Sequence, residues 1–324
     1  MFSGLRLAWD GEPRRRAETD GSFVADVLSG LARTQKTIPA KYFYDTEGSR
    51  LFEDICDLPE YYPTRTEAAL LRAKAGEMAS AIPPGAALVE FGSGASTKTR
   101  LLLDAAPQLA AYVPIDISKS ALDDAALAIG RDYPNLVVAP LVDDFTTALS
   151  LPAEVEGLTS IGFFPGSTIG NFRPDEAIAF LAGARRLLGH GSAFLVGMDI
   201  VKDEAVLVAA YDDAQGVTAA FNLNLLTRIN RELGGDFDLA AFQHRAVWNA
   251  RESRMEMHLV SRRDQVVHVA GTAFHFAAGE SLHTENSYKF TVEGFGKLAA
   301  AAGWKLERQW ESADPAFAMV LLRA

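Results

Sequence analysis

Two glycines and an acid at a set remove are the residues of this chain best suited to binding chemistry. The apolar run Leu88-Val89-Glu90-Phe91 enters Gly92-Ser93-Gly94-Ala95-Ser96-Thr97-Lys98, and a second run, Tyr112-Val113-Pro114-Ile115, ends in Asp116. A strand, a glycine turn, a helix and a second strand closing on Asp describe a nucleoside-binding βαβ unit. Glycines let the backbone approach a ligand because they carry no Cβ, and the Asp carboxylate can accept from both hydroxyls of a ribose. The third glycine of the dinucleotide fingerprint would fall at Thr97, so the close packing beneath a pyrophosphate is missing. That points away from NAD and towards S-adenosylmethionine, which has a ribose and no phosphates. The loop is not closed by G-K-[ST] and is no P-loop. Two glycines also serve plain βα turns; Asp116 and the rhythm after it favour a ligand.

The elements that must position these residues alternate. Strands are expected at 87–91, 111–115, 136–139, 160–164 and 193–197, with helices between them, for example at 121–132 and 175–188. Apolar strands alternating with helices predict an α/β fold with a doubly wound parallel sheet, whose ligands sit beyond the carboxyl ends of the strands. The segments placed there are Gly92–Lys98, Asp116, Asp143-Asp144-Phe145, Gly166–Asn171 and Asp199. Upstream, helices are expected at 24–32, 48–58 and from Thr64 to about 82, with Thr64 and Glu67 as a capping box. Downstream the rhythm changes. Residues 203–231 read as helix broken near Gly216, and 254–278 as strands with alternation in Met255-Glu256-Met257-His258-Leu259-Val260. A helix at 291–302 and a last strand at 316–322 follow. The predicted division is 64–199 with 286–324 as one domain and 1–63 with 200–285 as a second α+β domain, the substrate lying between them.

Composition narrows the function. The 324 residues are 48% hydrophobic and 23% charged, ordinary for a globular enzyme. A net charge of −11 argues against a nucleic-acid partner. The single cysteine, Cys56, excludes an intrachain disulfide and fits a reducing cytoplasm. No apolar run reaches the roughly 18–20 residues that span a bilayer. Arg14-Arg15-Arg16 is followed by no long apolar segment and reads as a solvated tail rather than a signal peptide.

Further segments go beyond a generic fold: Phe43-Tyr44-Asp45, Leu58-Pro59-Glu60-Tyr61-Tyr62-Pro63-Thr64-Arg65, Gly166-Ser167-Thr168-Ile169-Gly170-Asn171, Tyr211-Asp212-Asp213, Phe221-Asn222-Leu223-Asn224 and Thr284-Glu285-Asn286-Ser287-Tyr288-Lys289. From about Val24 to the end, the chain resembles the histidine Nα-methyltransferase family of ergothioneine biosynthesis. The resemblance implies a Rossmann-like class I methyltransferase domain with a substrate-binding domain. It also implies S-adenosylmethionine as methyl donor and three methylations of the α-amine of L-histidine, giving hercynine. Carried over by position, Gly92, Lys98, Asp116, Asp144 and Phe145 would contact the cofactor. Asp116 would meet the ribose, Asp144 and Phe145 the adenine, and Lys98 the methionine carboxylate or the loop. Tyr61, Gly166, Asn171, Tyr211, Met257, Glu285 and Ser287 would contact the substrate. Asn171 and Tyr211 would donate to its carboxylate, Glu285 and Ser287 would read the imidazole, and Tyr44 would orient the amine. A free α-amine has a pKa of about 8, so no strong base is required, and positioning carries the displacement.

Other readings of these residues stay open. Asn171 could cap a helix at 175, Tyr211 and Met257 could be core, and Glu285 could be a surface carboxylate. No H-x-x-x-H or C-x-x-C pair occurs; His283-Thr284-Glu285 is the nearest metal-like grouping, and no metal is expected. Gly166-Ser167-Thr168-Ile169-Gly170 is not the hydrolase elbow, because its serine is displaced by one. The competing functions are methylation of another amino acid such as tryptophan or a modified histidine, NAD-dependent oxidoreduction, and a catalytically silent cofactor-binding module. The expected partner is a small amino acid, with no nucleic acid or membrane, and the expected state is a monomer.

Overall fold

The strands Ala87–Phe91 and Ser160–Phe164 are buried at every position, which requires a sheet covered on both faces. The computed structural model describes residues 19–324 other than Ala95 and, at residues 19–21, 120 and 121, the backbone only. The Arg14-Arg15-Arg16 run lies outside the described residues. The chain divides into two compact units, one built from Arg65–Ile200 and Phe290–Ala324, the other from the described residues up to Thr64 and from Val201–Lys289. The second unit keeps the strand Ser281–Tyr288 whole and runs past the boundary expected at 285.

In the first unit the sheet order is Lys305–Ser312, Phe317–Arg323, Ala193–Asp199, Ser160–Phe164, Ala87–Phe91, Ala111–Asp116, Val137–Val138, with Leu141–Val142 also pairing Ala111–Asp116. All pairings among the strands from Ala193–Asp199 to Val137–Val138 are parallel. Phe317–Arg323 runs antiparallel to both neighbours. This is the doubly wound class I methyltransferase arrangement. One face packs on the helices Pro174–Leu188 and Val292–Ala301. The other packs on Tyr62–Ala79, Thr97–Ala105 and Lys119–Asp132. Each fully buried Leu or Phe in these layers contributes about 1.5–3 kcal/mol.

The second unit holds a four-stranded sheet in the order Lys36–Thr37, Ser281–Tyr288, Arg254–Ser261, Phe242–Asn249. The first pairing is parallel and the others antiparallel. A separate hairpin joins Gln265–Val269 to Thr272–Phe276. The alternation at 255–260 is observed: Met255, Met257 and Leu259 are buried in a core with the helices Thr19–Leu31, Thr46–Cys56, Glu204–Tyr211 and Val217–Leu233. The break near Gly216 is a left-handed turn, φ 75°, where Asp213 accepts from the amides of Val217 and Thr218.

Three local expectations are corrected. The helix begins at Tyr62, two residues before Thr64, so no capping box forms. The Thr64 hydroxyl donates instead to the Cys56 sulfur at 3.2 Å, and Glu67 turns to other partners. Asn171 is not a helix cap: it ends the short 3-10 turn Thr168–Asn171, and Arg173 caps the helix Pro174–Leu188. The strands Phe242–Asn249 and Lys305–Ser312 were not anticipated. No described helix is long and apolar enough to cross a membrane.

Candidate functional site

In the first unit the predicted cofactor residues gather at the carboxyl ends of three adjacent strands. Gly92 takes φ 72° and Gly94 φ 46°, conformations costly for a residue with a Cβ. The amide of Gly92 donates to the Ile115 carbonyl at 2.8 Å, tying the loop to the next strand. A Cβ on Gly92 would sit 3.4 Å from the Phe145 ring. Asp116 accepts from the Gly94 amide at 3.2 Å and the Ser118 amide at 2.9 Å, one per carboxylate oxygen. Each oxygen keeps further acceptor capacity. Asp144 closes a turn by accepting from the Thr146 amide and hydroxyl at 2.9 and 2.6 Å. The Asp143 amide donates to the Asp116 carbonyl at 3.1 Å, which brings the two acidic segments together. Phe145 stands edge-on to Phe91, Phe164 and Phe180, so its ring is fixed by the aromatic core beneath.

Lys98 has a partner that sequence reasoning missed. Its ammonium donates to Glu67 at 2.5 Å, and the same fully buried carboxylate accepts from the Gly166 amide at 2.8 and 3.0 Å. Glu67 thereby links Lys98 to the turn at Gly166. A Cβ on Gly197 would lie 2.0 Å from a Glu67 oxygen, so the carboxylate fits only against glycine. Ser167, at φ 57°, accepts from the Asp199 amide at 2.9 Å and shapes the turn that presents Asn171. Asn171 is half-buried and makes no side-chain hydrogen bond with another described residue. Also unanticipated is Glu90. It is 1% exposed and accepts from Thr99 at 2.7 Å and from Tyr112, and burial pushes its carboxyl up to about 8.

In the second unit the expected substrate residues form one cluster. Tyr211, at the end of its helix, donates to Ser287 at 2.7 Å. The Tyr61 ring meets Tyr211 edge-on at 6.3 Å and Phe52 at 6.2 Å, and Tyr44 meets Phe52 and Phe221 edge-on. Desolvation first, then the neighbouring Tyr211, Cys56, Tyr44 and Glu285, hold the Tyr61 phenol well above its usual pKa. Glu285 pairs with Met257 and Ser287 with Met255 across the sheet, so the carboxylate and hydroxyl share the core-facing side. Glu285 keeps some surface exposure, yet desolvation outweighs the attraction of Lys289 and raises its carboxyl to about 7. Its side chain makes no hydrogen bond with another described residue. Met257 is 2% exposed and belongs to the core behind this pair.

A buried relay supports Tyr211, and sequence reasoning missed it as well. Thr284 donates to Asn222 at 2.8 Å, the Asn222 amide donates to His244 Nδ1 at 2.9 Å, and His244 Nε2 reaches the Tyr211 carbonyl at 2.8 Å. Accepting at Nδ1 leaves the proton on Nε2, so the ring is neutral. Its pKa is accordingly lowered by burial, against the pull of the Tyr211 carbonyl.

The grouping His283-Thr284-Glu285 is split by a register shift between His283 and Glu285. His283 falls on the opposite face, where Glu256, His258 and His283 offer ligand atoms within 4.8 Å of one another. There Glu256 is taken up by Arg254, Asn249 and His258, and the two imidazoles stack at 4.7 Å. Desolvation pulls His283 down to about 4. The set is a hydrogen-bonded ion-pair network whose one carboxylate is already engaged.

The strand order and glycine loop define the class I methyltransferase fold. The chain belongs to the family of histidine-specific, S-adenosylmethionine-dependent methyltransferases, whose profile matches residues 23–324. It is 47% identical over 291 residues to the histidine N-alpha-methyltransferase of Mycobacterium tuberculosis (strain CDC 1551 / Oshkosh), covering 88% of this chain and 89% of that protein. It is 31% identical to ergothioneine biosynthesis protein 1 of Neurospora crassa, over 85% of this chain and 32% of that longer protein. It is 30% identical to the 4-dimethylallyltryptophan N-methyltransferase of Epichloe festucae var. lolii, over 94% of this chain and 96% of that one. Among solved structures it is similar to a 1,6-didemethyltoxoflavin-N1-methyltransferase of Burkholderia thailandensis with bound S-adenosylhomocysteine. That likeness has a TM-score of 0.43 at 10% identity over 86% of this chain and 88% of that one.

Proposed function

We infer that this chain transfers three methyl groups in succession from S-adenosylmethionine to the α-amino nitrogen of L-histidine, giving hercynine on the route to ergothioneine. The first unit is the cofactor-binding domain and the second the substrate-binding domain. The residues fit the cofactor on their own chemistry. Asp116 retains acceptor capacity for two ribose hydroxyls, Gly92 admits close approach, and Asp144 and Phe145 offer an acceptor and an apolar edge to an adenine. The cofactor supplies an electrophilic methyl on a sulfonium.

The chain's own residues bind and orient. Asn171 donates to the substrate carboxylate, Gly166 gives backbone access, and Tyr61 meets the imidazole, while Tyr211 commits its one hydroxyl proton to Ser287 in place of the carboxylate role expected for it. Glu285 accepts the imidazole N–H and Ser287 completes the pair. Tyr44 orients the amine. Its ring and those beside it stabilise the fixed positive charge of the product by roughly 0.5–2 kcal/mol. No residue acts as a strong base; a useful neutral fraction of an amine with pKa about 8 is present near neutrality.

The observation that carries this reading is the desolvated Glu285 carboxylate, without an internal hydrogen bond, two residues from a hydroxyl on the same face of one strand. An apolar side chain would leave that carboxylate unmatched, and an indole, which donates and cannot accept, would match the carboxylate and leave the hydroxyl without an acceptor. The chain is read as a cytoplasmic monomer that takes a small amino acid. Mass spectrometry of the protein with S-adenosylmethionine and L-histidine tests the reading. Stepwise gains of one, two and three methyl groups, ending in the trimethyl product, are expected. Preferential methylation of tryptophan or a modified histidine in competition would overturn the substrate assignment.

A further inference from the structure

Two hydroxyls and one ammonium close a ring in the candidate substrate site, and the ammonium has no part in the roles described above. Lys289 is 3% exposed, and its Nζ donates to the Tyr211 hydroxyl and to Ser287 Oγ, both at 2.9 Å. It also lies 4.7 Å from the Tyr211 ring centre. The third edge of the ring is the 2.7 Å contact between the two hydroxyls. An ammonium has protons to give and no lone pair to receive one. Both hydroxyl oxygens therefore accept from Lys289, and one hydroxyl proton closes the edge between them. The ring uses one of its two hydroxyl protons and must offer the other outside itself. With Tyr211 as donor along the edge, the offered proton is that of Ser287.

Glu285 lies two residues earlier on the same face and, while ionised, can only accept. A donor hydroxyl beside an acceptor carboxylate matches a neutral imidazole, which carries one N–H and one lone pair. Without the ammonium both hydroxyls could turn, and the carboxyl would protonate more readily and become a donor itself. The titratable groups gathered around this carboxyl are Lys289 and Tyr61, with Tyr211, Tyr44 and Cys56 about the Tyr61 ring. His283, on the far face, reaches only the Glu285 backbone carbonyl.

We propose that Lys289 is a positioning residue that sets the donor–acceptor polarity of this pair, so that Ser287 donates, Glu285 accepts, and a neutral imidazole side chain is selected. The inference rests on the reading of this cluster as the histidine site.

Steady-state kinetics of the wild type, K289M and S287A with L-histidine, from about pH 6 to about pH 9, test it, with S-adenosylmethionine affinity measured by calorimetry alongside. K289M is expected to raise KM for histidine roughly ten- to a hundredfold, as for lost hydrogen bonds to a charged group. It should leave cofactor affinity within about twofold and move the acidic limb of kcat/KM to higher pH. S287A should raise KM and leave that limb where the wild type has it. K289M with unchanged KM, or with an unmoved limb, overturns the proposal. Should K289M fail to bind cofactor, K289R decides: a wild-type limb supports the charge role, and a displaced limb overturns it. A wild-type chain that binds cofactor but does not methylate histidine refutes the functional reading, and the inference with it. A failure of the inference alone shows only with an active wild type.

Discussion

Glu67→Ala removes the acceptor shared by Lys98 and Gly166, and its cost can be worked from the structure. The Glu67 side chain is fully buried and that of Lys98 is 18% exposed. Deleting one partner of a buried pair costs about 3–5 kcal/mol when the other is left uncompensated. Lys98 retains enough exposure to reach water, which sets its share at the low end. The Gly166 amide also loses its acceptor, a further ~1–3 kcal/mol if nothing replaces it. Together these give about 4 kcal/mol, which for a domain of this size lowers Tm by roughly 10 °C. Lys98→Met should cost at least as much, because it strands a carboxylate with no exposure. Thermal and urea melts of both variants, with S-adenosylmethionine titrations to report on the Gly166 loop, make the test. A Tm within about 2 °C of wild type for both would refute the view that this pair holds the loop.

Two further outcomes follow from the same unit. Gly92→Ala places a Cβ at φ 72° and 3.4 Å from Phe145; it should weaken S-adenosylmethionine binding by about 1–2 kcal/mol, read by calorimetry, and unchanged affinity would contradict a close cofactor approach there. Glu90 has its carboxyl raised from 4.5 to about 8, so the folded state binds a proton that the unfolded state has lost. Its contribution is full below about 4.5 and is lost as pH rises through about 8. The stability of wild type relative to Glu90→Gln should therefore fall between mildly acidic and mildly alkaline buffer, and a difference independent of pH in urea melts would contradict the shift.

The parts legible in the sequence were those whose cause is local. Ala87–Phe91 and Ser160–Phe164 read correctly because a strand buried on both faces is apolar at most positions, with Glu90 and Ser160 the exceptions. The alternation at 255–260 read correctly because only one face is buried. Lys305–Ser312 escaped because it is an edge strand whose single buried residue is Trp310. Phe242–Asn249 escaped because His244 takes an inward position that pattern reading reserves for apolar side chains. In the site, Gly92 and Asp116 were marked by turn and strand grammar. Glu67, Lys289 and His244 were not, because what defines each is a partner remote in the chain. Glu67 meets Gly166 across 99 positions and Lys289 meets Tyr211 across 78. The split of His283 from Glu285 came from a one-residue register shift, which no periodicity announces.

The parallel pairing of Lys36–Thr37 with Ser281–Tyr288 sets an order of events during synthesis. Gln35 finds its acceptor on Ser281 across 246 positions, so the segment through Thr64 emerges from the ribosome long before the strand it must join. The sheet of the other unit also waits, since Phe317–Arg323 must slot between Ala193–Asp199 and Lys305–Ser312. Neither unit can complete on the nascent chain until nearly all of it has been made. The early helices therefore carry exposed apolar faces for most of translation, a window in which a holdase chaperone would find its targets.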